Sequence, residues 1–183
     1  IEARTAKKTN DKLIDRDTEN PDHETPEERL EDAYQKIRLR LAAELLNHVK
    51  SGPAQFFEAL VVELLVKMGY GGSRKEAGRA IGGSGDEGID GIINEDRLGL
   101  EKIYMQAKRY NDNKVREKDI RNFIGAMSGD TTKGIFVTTS TFDDSAIKKS
   151  SEAHHKIILV DGNKLVDLMY QYGVGIQVRS IYE

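Results

Sequence analysis

The sequence predicts an α/β domain: a central mixed β-sheet flanked by α-helices, with a helical linker in front of it. Three observations carry that expectation. Helical and strand patterns alternate through the second half of the chain. Two short runs, Ile135-Phe136-Val137 and Ile157-Ile158-Leu159-Val160, are apolar throughout, as strands covered on both faces of a parallel sheet are. Residues 53–68 carry a broad apolar stripe at helical spacing.

Residues 1–26 are polar, contain Pro21 and Pro26, and offer almost nothing to bury; they read as a linker or tail. Thr25-Pro26-Glu27-Glu28 then opens a helix, with Thr as the cap, Pro in the first turn and acids at the positive end of the helix dipole. This connecting helix, 27–52, repeats Leu30, Tyr34, Ile37, Leu41, Leu45 and Val49 at three- to four-residue spacing, and Ser51-Gly52-Pro53 breaks it. The remaining stretch, 53–183, is the folded domain. Its first helix, 53–68, groups Phe56, Phe57, Leu60, Val61, Leu64, Leu65 and Met68 on one face. Glu58 lies at the margin of that face and can turn inward, whereas Glu63 points toward solvent. A glycine-rich stretch, 82–88, leads into a strand over 88–93. Asn94-Glu95-Asp96-Arg97 forms a turn, and residues 100–108 return as the hairpin partner. A helix over 116–127, a strand over 134–139, a helix over 142–153, a strand over 156–160 and a helix over 162–172 follow. The later strands are expected to be parallel and buried.

Composition narrows the classes of function. A chain of 183 residues is enough for one domain with a short appended element. It has no cysteine, which excludes disulfides, thiolate zinc sites and cysteine nucleophiles. No apolar run approaches the roughly 20 residues that span a bilayer, so no membrane partner is expected, and a cytoplasmic location fits. There is no G-x-x-x-x-G-K-[ST] loop and hence no sign of ATP use. The net charge of −3 hides an asymmetry. Residues 15–32 are strongly acidic. Residues 102–121 instead carry Lys102, Lys108, Arg109, Lys114, Arg116, Lys118 and Arg121 against Asp112, Glu117 and Asp119. Such a basic stripe can bind phosphates on a chain that is acidic overall.

The chemistry concentrates on the hairpin. Alternation along its second strand sends Ile103, Met105 and Ala107 to one face and Tyr104, Gln106 and Lys108 to the other. Asp90 stands between glycines in an otherwise apolar first strand. A carboxylate there is costly to bury unless it is paired or binds a metal. Singly, each residue has an ordinary explanation: Asp90 as a turn former, Gln106 as a solvent-facing amide, Lys108 as an edge-strand guard, Glu58 as helix surface. Together, Gly-Ile-Asp-Gly followed sixteen residues later (106 − 90) by Gln-Ala-Lys is harder to dismiss.

This combination resembles the Mrr-type restriction endonuclease catalytic domain, a branch of the PD-(D/E)XK nucleases. Phe56-Phe57-Glu58-Ala59-Leu60-Val61-Val62 resembles the first helix of that domain. Gly85-Asp86-Glu87-Gly88-Ile89-Asp90-Gly91 resembles its acidic motif, and Gln106-Ala107-Lys108-Arg109-Tyr110 its Gln-X-Lys motif. Thr138-Thr139 and Val160-Asp161-Gly162 also look like features of the family, and the resemblance covers about residues 53–175. It implies a restriction-endonuclease-like core and hydrolysis of double-stranded DNA that depends on Mg²⁺ (or Mn²⁺), directed at modified, methylated foreign DNA. It also implies a separate N-terminal recognition domain, and cutting of both strands favours a homodimer. By this resemblance Asp90, Gln106 and the Ala107 backbone carbonyl are metal ligands. Lys108 orients or deprotonates the attacking water or stabilises charge, and Glu58 assists. Arg109, Tyr110, Lys114, Arg116 and Arg121 are candidate DNA contacts. Asp86 is a weaker candidate, read first as a cap of the glycine loop. A repair or junction-resolving nuclease on the same core, or a silent DNA-binding module, are the alternative readings.

Overall fold

The computed structural model describes residues 25–71, 89–96, 98–127, 129 and 132–177. The proposed tail up to residue 24, and the glycine-rich run with Asp86, lie outside the described residues. The chain divides into two units, Ile1–Ile37 and Arg38–Glu183, and the division falls inside the first helix, α1 (Pro26–Ser51).

In the first unit, α1 opens as its sequence dictates. The Thr25 hydroxyl accepts from the Glu28 N–H at 3.2 Å, and the Glu28 carboxylate accepts from the Thr25 N–H at 2.7 Å. This reciprocal pair satisfies two backbone donors at the helix start. Leu30 and Ile37 are exposed there.

Among the described residues the second unit holds one four-stranded sheet in the order β1 (Gly91–Asn94), β2 (Lys102–Lys108), β3 (Lys133–Thr138), β4 (Lys156–Val160). β1 runs antiparallel to β2, whereas β2, β3 and β4 run parallel to one another. The expected mixed sheet is therefore present. Around it lie α2 (Ala54–Lys67), α3 (Glu117–Ala126), α4 (Asp144–Ser151) and α5 (Gly162–Tyr172). The alternation read from β2 separates two cores. Ile103, Met105 and Ala107 join Phe57, Leu60, Val61 and Leu64 of α2 and Leu165 and Met169 of α5. Tyr104 joins Phe136 of β3, Ile120 and Phe123 of α3 and Ala146 of α4. Phe123 meets Phe136 edge-on at 5.6 Å between ring centres. Burying each of these large apolar side chains contributes about 1.5–3 kcal/mol. Gly134 makes the second core possible, because a Cβ there would stand 2.8 Å from the Phe123 ring.

Some expectations change. The first strand begins at Gly91, so Asp90 sits just outside the ladder rather than within it. Leu98 and Leu100 are exposed in the hairpin loop and do not begin β2. That loop is built by Asp96, whose carboxylate accepts from the N–H groups of Leu98, Leu100 and Glu101. β4 is less buried than its apolar run predicts, with Ile158 at 41% exposure; it lies last among the described strands. Phe56 turns outward from the α2 stripe, Val62 is buried instead, and Glu63 is half-buried. No described helix is long and apolar enough to cross a membrane.

Candidate active site

β2 and β3 end together, and there lie Thr138 and Thr139, the buried polar residues among the described ones. β2 pairs with β3 up to Lys108↔Thr138. Thr138 and Thr139 are fully buried, yet both are satisfied. The Thr138 hydroxyl donates to the Lys108 carbonyl at 2.8 Å. The Thr139 hydroxyl donates to the Tyr110 carbonyl at 2.7 Å and accepts from the Tyr110 N–H at 3.0 Å. These bonds take over where the ladder stops and hold the Gln106–Tyr110 segment in place. Behind them, the Gly162 N–H donates to the Ser140 carbonyl at 2.8 Å. A Cβ on Gly162 would stand 2.7 Å from the Thr139 carbonyl oxygen, so α5 can approach this closely only with glycine at its first position.

Asp90 arrives from the neighbouring strand. Its N–H donates to the Met105 carbonyl at 2.9 Å. Its Oδ2 accepts from the Ala107 N–H at 2.6 Å, so a carboxylate stands where a strand would offer a carbonyl. Burial pushes its pKa up, against the opposing pull of the Ala107 N–H and the charge of Lys108. Glu58, on α2, is also raised, first by burial and then by the negative charge of Asp90. The two carboxylates therefore feel each other at one site.

Gln106 has the most telling environment. Its Oε1 is buried and has no hydrogen-bond partner. An orphaned amide oxygen costs about 1–3 kcal/mol unless something arrives to use it. Lys108 Nζ donates to Asp119 Oδ1 at 2.7 Å and stands 5.5 Å from the centre of the Tyr110 ring. Burial works against the ammonium, but Asp119 and Tyr110 outweigh it and hold the pKa above the ordinary lysine value. Lys108 is thus a cation at neutral pH.

The proposed DNA contacts divide by environment. Lys114 and Arg116 are exposed on the segment leading into α3. Arg121 is exposed and paired with Glu117 at 2.5 Å. Tyr110 is half-buried beneath Lys108. Arg109 is half-buried, and its Nη1 donates to the Lys50 carbonyl at 2.6 Å near the end of α1. Its Nε is buried without a partner. In sequence Asp119 stands out only as an acid offsetting the basic stripe. The structure gives it two roles: Oδ2 accepts from the Arg116 N–H at 2.9 Å at the start of α3, and Oδ1 accepts from Lys108. The available signal was its position three residues into a predicted helix, eleven residues after Lys108 (119 − 108).

Among the described residues no cluster of three or more His, Cys, Asp or Glu could hold a metal ion. A hard cation takes oxygen donors, and the unpartnered Gln106 Oε1 is an oxygen of that kind.

Residues 49–169 match the family model of the Mrr catalytic domain, described as a restriction endonuclease. The chain belongs to the Mrr-type restriction endonuclease family. Glu58, Asp90, Gln106, Lys108 and Asp119 of this Mrr-type domain all fall within the matched span. The chain is 40% identical over 174 residues to the type IV methyl-directed restriction enzyme EcoKMrr of Escherichia coli strain K12. That match covers 92% of this chain and 56% of EcoKMrr, so the chain spans about half the length of the curated relative. Two solved structures share the fold. One is the MspJI restriction endonuclease in complex with a 27-mer oligonucleotide, with TM-score 0.55 and 19% identity over 73% of this chain and 32% of that one. The other is the DNA modification-dependent restriction endonuclease AspBHI, with TM-score 0.54 and 22% identity over 75% of this chain and 36% of that one.

Proposed function

We propose that this Mrr-type domain is a divalent-metal-dependent endonuclease that hydrolyses phosphodiester bonds of double-stranded DNA, in the restriction of modified foreign DNA. The observation that carries the reading is the buried, unpartnered Gln106 Oε1 in the segment that also carries Lys108 and is bonded to Asp90. Family membership supports the reaction class, and the methyl-directed relative supports a methylated target.

Asp90, Gln106 Oε1 and the Ala107 carbonyl would hold Mg²⁺ or Mn²⁺. When bound, such an ion neutralises phosphate charge and lowers the pKa of water. The chain's own groups do the rest. Lys108, whose ammonium is paired with Asp119, would orient or help deprotonate the attacking water or stabilise charge on the phosphate. Glu58, with its raised pKa, adds a second carboxyl beside Asp90. In hydrolysis the water oxygen bonds to phosphorus, the bond from phosphorus to the leaving sugar oxygen breaks, and that oxygen takes up a proton. Lys114 and Arg116 offer exposed cations for the DNA backbone. Two copies acting together would cut both strands, and DNA recognition by a further domain would set the target.

The test is cleavage of methylated and unmethylated supercoiled plasmid with Mg²⁺ or Mn²⁺, by wild type and by Asp90→Ala and Lys108→Ala. Metal-dependent nicking or linearisation, lost in both variants, is the expected outcome. A wild-type chain that neither cuts DNA nor binds metal through Asp90 under any of these conditions would refute the proposal and favour a silent DNA-binding module.

A further inference from the structure

The anchoring of Lys108 by a residue on a different element calls for an explanation of its own. The Lys108 side chain leaves the end of β2 and its Nζ meets Asp119 on the first turn of α3, with side-chain exposures of 34% and 17%. The partly buried geometry places this pair apart from ordinary surface ion pairs, whose side chains wander. Asp119 is itself fixed, because its other oxygen accepts from the Arg116 N–H. Tyr110 closes the arrangement from below, with its ring 5.5 Å from Nζ and its hydroxyl 3.4 Å from Asp119 Oδ1. Tyr110 is in turn held at both its N–H and its carbonyl by Thr139. The groups that contact Nζ thus come from two places: Asp119 from α3 and Tyr110 from the segment after β2.

We infer that Asp119 is the positioning residue for Lys108, fixing its ammonium at the scissile phosphate site with Tyr110 as the floor beneath it. This rests on the nuclease reading only for its catalytic purpose; the holding of the lysine is a separate, measurable property. A lysine has four rotatable side-chain bonds, and a free one would explore positions several ångströms apart. A displacement of about 1 Å from a productive position can cost about a hundredfold in rate. Asp119 does not touch the reacting atoms and acts through Lys108.

The variant that isolates this role is Asp119→Asn. Its amide oxygen can still accept the Arg116 N–H, so the start of α3 is kept, while the charge facing Lys108 is lost. Two readouts are needed. The first is the Lys108 ammonium resonance in ¹H–¹⁵N NMR of the metal-free protein, identified by its absence from Lys108→Arg. An ammonium held in an ion pair exchanges slowly with water and is visible. Asp119→Asn should lose this signal and retain that of Lys133, which Glu95 and Glu101 hold at the opposite end of the sheet. The second is the single-turnover cleavage rate at saturating DNA. It should fall by about tenfold to a hundredfold with no more than about a twofold change in KM, and Asp119→Glu should recover most of it. A Lys108 signal that survives in Asp119→Asn, or a cleavage rate equal to wild type, overturns the inference. If Lys108→Ala cleaves normally, the nuclease reading of the site fails, while loss of the signal in Asp119→Asn still establishes Asp119 as the holder of Lys108.

Discussion

Two lysines on adjacent strands, at opposite ends of the sheet, show how the same interaction can serve different ends. Lys133 opens β3 and bonds to both Glu95 and Glu101, the two acids that flank the hairpin turn. Lys108 closes β2 and bonds to Asp119. Their side chains are equally exposed, 33% and 34%, so burial does not distinguish them. Their surroundings do. Lys133 has two carboxylates, Glu101 and then Glu95, and its pKa is pushed up to about 12. Lys108 has one, which it shares with a helix start and a tyrosine hydroxyl. The Gln106 Oε1 two residues from it has no partner at all. At the Lys133 end, bonds close a turn. At the Lys108 end, donors and acceptors are positioned and two are left over, Gln106 Oε1 and Arg109 Nε, as a site that receives a ligand requires.

The sharpest way to break this contrast is to remove each lysine. Lys108→Ala and Asp90→Ala should each reduce plasmid cleavage by about a thousandfold or more, whereas Lys133→Met should leave the cleavage rate unchanged and only lower the melting temperature. A loss of activity in Lys133→Met beyond what its unfolding explains would erase the distinction. Next in size is Gly162→Ala. Its new Cβ meets the Thr139 backbone rather than a flexible side chain, so urea unfolding should show a loss of about 1–3 kcal/mol.

Asp90→Asn should do the opposite to stability while still abolishing cleavage. Burial raises the folded-state pKa of Asp90, so the folded protein favours the protonated form. The resulting penalty is absent below the ordinary carboxylate range near pH 4 and grows as pH rises through the raised folded value. Metal-free Asp90→Asn should therefore melt above wild type at pH 7, and the gain should shrink as pH falls toward 4. The smallest effect is expected from Gln106→Leu. Removing an orphaned buried oxygen should leave the melting temperature equal or slightly higher, while calorimetry with Mn²⁺ should show weakened binding.

Much of this was legible from alternation and spacing. The face shared by Tyr104, Gln106 and Lys108 follows from the two-residue period of a strand, and α2 from its apolar stripe. What escaped was set by tertiary position. An all-apolar run such as Ile157–Val160 reads as a central strand, but its neighbours decide, and β4 comes last among the described strands. Asp119 belongs to the site only because α3 returns to the end of β2, which no local pattern encodes. Thr138 and Thr139 were noticeable as a pair in sequence, but their hydroxyls acquire meaning only once the β2–β3 register puts them against Lys108 and Tyr110.

The hairpin has one more consequence. β1 is only four residues long, and its pairing of Gly91 with Met105 is what brings Asp90 to the Ala107 N–H. A slip of a single residue would swap inside for outside along the whole strand and carry Asp90 away from Ala107. The distant turn, where Asp96 gathers three N–H groups, acts as a ruler that measures the carboxylate into place. A register shift begun at that turn would misplace an acid about 17 Å of strand away, at about 3.4 Å per residue.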